Sequence, residues 1–131
     1  MPSIEIEHPS DRAFHISGKS LEELFREAAR VMYSLMGRQV AGTAIHRRIS
    51  LEAADNESLL VMYLSELLSI AEVENLAALE SSLHFEENSL QAELTLFPIT
   101  HKVDYIKAVT FSELNILNSE KGVETNLIFD T

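Results

Sequence analysis

No cysteine occurs in the 131 residues, so disulfides, thiolate metal sites and cysteine nucleophiles are excluded together. That absence removes chemistry and is compatible with any compartment. The four glycines stand apart from one another, and no nucleophile elbow, P-loop or dinucleotide-binding fingerprint can be assembled from them. No stretch of about 18 apolar residues is present to span a bilayer. The start Met1-Pro2-Ser3-Ile4-Glu5 also lacks the basic flank and apolar run of a secretory signal. A soluble, cytoplasmic protein is expected. Positive charge is scarce, with ten Lys and Arg against 21 Asp and Glu and a net charge of −11. Such a field repels a phosphate backbone wherever it is unscreened, so direct nucleic-acid binding is disfavoured. A basic protein partner or a bound cation suits it better.

What is present is enough for a real core. At 46% hydrophobic residues the length fits one domain spanning residues 1–131. Ile4 and Ile6 alternate with Ser3, Glu5 and Glu7, which predicts a strand with one buried face that ends at Pro9. Ala13 to Ser17 reads as a second strand, with Phe14 and Ile16 on one face. Ser20 and Glu23 form a capping box in which the Glu reaches back to the Ser20 amide. The helix that follows has apolar positions at Leu21, Leu24, Phe25, Ala28 and onward, and Gly37 ends it. Glu22 and Glu23 read as solvated, as do Glu86 and Glu87.

Between Thr43 and Ala53 the pattern has period two and is broken only by Arg47, which predicts a third strand. Asp55 or Asn56 caps a second helix, whose apolar face from Leu59 to Ala71 is too broad for a surface helix and marks it as central to the core. Leu79, Leu83 and Phe85 alternate on one side of Glu87-Asn88-Ser89, and Leu90, Ala92, Leu94 and Leu96 on the other, a hairpin closed by Pro98. Residues 102–111 and 113–117 are β-compatible, and Asn118 to Gly122 form a turn into a last strand over 123–129. Strands outnumber helices without alternating with them. The expected fold class is therefore α+β, a mainly antiparallel sheet with both helices packed on one face.

Four segments taken in order resemble the archease family: Glu7-His8-Pro9-Ser10-Asp11; Gly18-Lys19-Ser20-Leu21-Glu22-Glu23-Leu24-Phe25 with Ala28-Ala29; Lys107-Ala108-Val109-Thr110-Phe111; and Ile128-Phe129-Asp130-Thr131. The resemblance runs the length of the chain. It implies a small α+β cofactor of the tRNA-splicing RNA ligase, which promotes guanylylation of the ligase and its multiple turnover and is not itself a ligase. It also implies a divalent cation, Ca²⁺ or Mg²⁺, held by Asp11, Asp130 and the Thr131 carbonyl. Glu7, His8 and Lys107 would support the site or meet the partner. The sequence departs from the family motif at Glu7 in place of Asp, Pro9 in place of Thr and Ser10 in place of Ala, while Phe111 and Ser112 stand where many members have Tyr and His. Proline fixes φ and removes an amide donor, so hydrogen bonding in this turn differs from the family's own.

The residues themselves allow two readings. Two carboxylates with a carbonyl and waters make an open site for a hard cation, and the close histidine pairs that zinc would want are missing. Equally, Asp11 can be a turn former bonded to its own backbone and Asp130 a solvated charge. None of the five histidines pairs with another on a helix face. Lys107 by itself reads as a solvent-facing lysine, and it is the resemblance that implies a contact to Asp130 or the ligase. Two further functions stay open: a metal-dependent hydrolase with Asp11 and Asp130 on the metal and His8 as base, and a divergent family member serving another protein.

Overall fold

A computed structural model of the protein describes residues 2–6, 11–102, 106–110 and 114–131. The elements in chain order are β1 (Ser3–Ile6), β2 (Arg12–Gly18), α1 (Leu21–Met36), β3 (Gln39–Val40), β4 (Ile45–Glu52), α2 (Asn56–Glu74), β5 (Leu76–Glu86), β6 (Ser89–His101), β7 (Ala108–Thr110), β8 (Leu117–Ser119) and β9 (Gly122–Asp130). The class is α+β as expected, with every strand pairing antiparallel. The strands divide into two sheets. One runs β1-β2-β9-β7 with β8 also on β9; the other runs β3-β6-β4 with β5 on the far side of β6.

Both helices start and stop where their caps dictate. Ser20 accepts a hydrogen bond from the Glu23 amide at 3.2 Å, and Gly37 takes the left-handed conformation with φ 59°. The reciprocal half of the box differs from expectation: Glu23 accepts from the Lys19 amide at 2.6 Å, one residue before Ser20. Glu22 is also no solvated side chain, because it accepts the Leu83 amide at 2.9 Å and ties α1 to β5. Asp55 accepts from the Ser58 amide at 2.7 Å, which holds its carboxyl below the usual range, and Asn75 closes α2 in the left-handed region. α2 buries a broad face from Leu59 to Ala71, as its sequence implies, and leaves Met62, Ser65, Glu66 and Ser69 as an exposed stripe. Phe25 of α1 stacks edge-on against Phe85 at 4.9 Å and lies 5.7 Å from Tyr63 of α2, so helix, helix and sheet share one cluster.

Several elements depart from the sequence reading for identifiable reasons. Ile4 and Ile6 face away from the helices, 60% and 38% exposed, because β1 is an edge strand whose helix-side positions are polar. There Ser3 accepts from Arg30 and Glu5 pairs with Arg12, which holds the Glu5 carboxyl low. Leu79 sits in a β-bulge between Ala78 and Glu80, so it leaves the face of Leu83 and is 41% exposed. Pro98 does not close the hairpin; β6 continues to His101. Its carbonyl accepts the Ala41 amide in the connection from β3 to β4, so the missing N–H faces a gap in the neighbouring strand. Arg47 interrupts the apolar face of β4 because it meets the end of α2, donating two bonds to Glu74 at 2.7 and 2.8 Å. Residues 114–116 are not strand. The Ile116 amide is taken by Glu57 and the Asn115 amide by Thr125. Of the β-compatible stretch 102–111, β7 alone is strand among the described residues; residues 103–105 and 111–113 lie outside them.

Tyr33 on α1 accepts the Ala78 amide at 3.0 Å, and burial pushes its phenol up to about 12, against the opposing pull of that amide and of Arg38. The folded state therefore holds this proton more tightly than the unfolded chain, where the group titrates near 10. Its contribution is complete below pH 10 and is lost as pH rises through 12. Urea melts across that window are expected to show a loss of about 2 kcal/mol from this group. Tyr33→Phe, less stable throughout, should give a flatter curve there. An equally steep curve in the variant would remove Tyr33 as the cause.

Candidate metal-binding end of the five-stranded sheet

The pairing of β2 with β9 brings the two ends of the chain together. Apolar side chains fix its register: Phe14 lies opposite Leu127 and Ile16 opposite Thr125 on the helix side, and Phe14 meets Phe129 edge-on at 6.3 Å. The last ladder pair is Arg12 with Phe129. One position beyond that pair lie Asp11, at the bend before β2, and Asp130, the last residue of β9. By strand alternation Asp130 shares the face turned away from the helices with Ala13 and Ile128, both buried, and with His15 and Asn126.

On the other side of β9, Ala108 pairs with Asp130, and the Lys107 amide donates to the Asp130 carbonyl at 2.8 Å. Asp130 is thus held by its backbone from β7. Its side chain is half-buried like that of Asp11, and Thr131 and Lys107 are exposed. Lys107 touches Asp130 through main chain, and its ammonium makes no ion pair among the described residues. Glu7 and His8, with Pro9 and Ser10, lie outside the described residues. Along the same face, His15 Nδ1 is 2.9 Å from Asn126 Oδ1, and its Nε2 is 3.8 Å from Glu124. This polar group escaped the sequence reading. Its only signal was parity, since Ala13 and His15 stand two apart on one strand.

The donor set fits a hard cation in part. Two carboxylates at the same end of the β2–β9 ladder and a terminal carbonyl leave several positions to water. Among the described residues no group of three His, Cys, Asp or Glu gathers as a metal cluster. The described residues by themselves therefore build neither a zinc-type site nor a fully protein-ligated cage.

The sequence profile described as the Archease protein family (MTH1598/TM1083) matches residues 4–131. The chain belongs to the archease family. The archease of Methanosarcina barkeri is 31% identical, over 95% of this chain and 92% of that one, and the archease of Methanothermobacter thermautotrophicus is 29% identical over 92% of both. A crystal structure of a Thermotoga maritima archease, described as a possible chaperone, superposes with a TM-score of 0.75 at 27% identity, covering 96% of this chain and 94% of that one. Among the described residues of this archease, no helix is long and apolar enough to cross a membrane.

Proposed function

We propose that this archease acts in the cytoplasm as a non-catalytic activator of a tRNA-splicing RNA ligase, promoting guanylylation of the ligase and its multiple turnover. A divalent cation, Ca²⁺ or Mg²⁺, is held between Asp11 and Asp130 with help from the Thr131 carbonyl. The observation that carries this reading is the β2–β9 ladder ending at Arg12 and Phe129, in a chain that matches the archease profile to its last residue. When bound, the cation supplies charge that offsets the repulsion of two facing carboxylates. The backbone of Asp130 is already fixed by Lys107, so binding there positions side chains rather than the sheet. The surplus of acidic groups suits a basic face on the ligase.

The test incubates wild-type protein with the RNA ligase from the same cells, GTP and divalent cation, and follows the ligase–guanylate adduct and ligated RNA over time. Adduct formation should rise on the order of tenfold, within the range of ordinary coupling effects. No rise with the cognate ligase would remove the activator reading. Hydrolysis of RNA or phosphoesters by this protein alone would replace it with the metal-dependent hydrolase.

A further inference from the structure

Three of the ten basic residues gather in one groove of about 450 Å³ between α1 and β5, lined by Arg26, Arg30 and Arg38 with Tyr33, Tyr63 and Glu80. Glu80 is the sole carboxylate on its wall, while Glu22 and Glu27 pair with Arg26 and Arg30 from outside it at 3.5 and 2.7 Å, so Arg38 is the one of the three without an acidic partner among the described residues. The charges elsewhere are muted by salt beyond about 8 Å. A small anion inside the groove therefore meets the guanidinium groups first.

The walls are built to hold those groups in place. Arg26 donates from Nε and Nη2 to the Ser81 carbonyl at 3.1 and 2.8 Å, and Arg30 is held by Glu27 through two bonds of 2.7 Å. Each guanidinium carries five N–H donors, so these bonds use only part of its capacity. The bulge of β5 between Ala78 and Glu80 opens the groove at this point, and the Tyr33 hydroxyl secures it by accepting the Ala78 amide.

Arg38 is the telling residue. Gly37 turns the chain sharply after α1, and the Arg38 guanidinium lies over the Tyr33 ring, 4.9 Å from its centroid. It donates no hydrogen bond and makes no ion pair among the described residues, and its Nε is buried without a partner. A buried donor with no acceptor is costly, and the rest of the half-buried guanidinium keeps N–H groups that the ring does not satisfy. The buried Nε is closed to solvent, so an oxyanion bound in the groove would meet the terminal Nη groups of Arg38, and three guanidinium groups offer more donors than the two oxygens of a carboxylate can use.

We propose that this groove binds a phosphate group, free or as a phosphate monoester, with Arg38 as its principal contact and Arg26 and Arg30 completing the cradle. It is built from α1, α2 and β5, whereas the candidate cation end is built from β2, β7 and β9. Its occupancy is therefore independent of the ligase reading.

The experiment titrates wild-type protein with inorganic phosphate and, separately, with ribose 5-phosphate at constant ionic strength, reading backbone amide shifts by NMR. Saturable shifts centred on Tyr33, Arg38 and Ala78 are expected with at least one of the two, and no such pattern with chloride or acetate. Tighter binding of the monoester would assign the site to an esterified ligand, and equal binding to free phosphate. Arg38→Gln should weaken binding on the order of tenfold, Arg38→Lys less, and Arg48→Gln on the outer face of the other sheet not at all. The wild-type map decides the matter even if an Arg38 variant folds poorly. Shifts that fail to saturate, that chloride reproduces, or that fall elsewhere on the molecule would overturn the proposal, as would undiminished binding by a folded Arg38→Gln protein.

Discussion

Asp130→Ala is expected to return adduct formation by the ligase to its unstimulated rate while leaving the fold nearly untouched. The backbone of Asp130 accepts the Lys107 amide and pairs with Ala108, and neither contact uses the side chain. Loss of a half-buried carboxylate at a strand end should cost about 0.5 kcal/mol, a shift of roughly 2 °C in Tm for a chain of this size. The same change removes one of the two carboxylates assigned to the cation, which lowers affinity for Ca²⁺ or Mg²⁺ by much more than it lowers stability. Asp130→Asn keeps an oxygen and the shape while losing the charge, and raised cation concentration should restore part of its activity. Paired measurements of adduct formation, cation binding and thermal melts separate these effects. Full stimulation by Asp130→Ala would remove the residue from the site, and a large drop in Tm would show that its role is structural.

The largest loss of stability is expected from a single methyl group at Gly122. This residue opens β9 with φ 128°, a conformation that side chains rarely adopt. A Cβ there would collide with the Gly18 carbonyl and come within 3.0 Å of the Lys19 Cα. Neither neighbour can yield, because Gly18 is itself packed against the first turn of α1, where an added Cβ would stand 2.7 Å from the Leu24 nitrogen. Strain and overpacking together put Gly122→Ala at about 3 kcal/mol or more, a large part of the 5–15 kcal/mol that holds a typical domain. Chemical denaturation of the variant against wild type reads this directly, and a loss below about 1 kcal/mol would show that the junction relaxes freely.

Much of the fold is legible from local chemistry. Ser20 with Gly37 and Asp55 ahead of Leu59 mark helix ends because capping is decided within four residues. The broad apolar face of α2 announces its burial in the same way. Readings fail where the deciding partner is remote in sequence. Ile4 and Ile6 look like core residues until β1 proves to be an edge with Arg30 of α1 claiming its other face. Leu79 follows the alternation of Leu83 until the bulge shifts it. Pro98 looks like a terminator because the gap that tolerates it belongs to another segment.

The candidate cation end is legible only in part. The alternation of Phe14 and Ile16 and of Leu127 and Phe129 marks two strands but leaves their register open, since Phe14 could as well face Phe129 as Leu127; Asp11 and Asp130 are joined in the sequence only by the family resemblance. The arginine groove is not legible. Arg26, Arg30 and Arg38 fall on an ordinary solvated helix face and its exit turn, and only the fold of β5 over them encloses the space.

The central place of β9 has a bearing on how the molecule assembles. It pairs with β2, β7 and β8, and its contact between His15 and Asn126 spans 111 residues. The helices and the β5–β6 hairpin close over short distances and can form early, whereas β2 waits for a strand that follows almost everything else in the chain. Until it arrives, α1 can cover the face of Phe14 and Ile16 but β2 keeps an open hydrogen-bonding edge, an arrangement prone to pairing with a neighbouring chain. The strand that creates the candidate site therefore also ends an aggregation-exposed stage of folding.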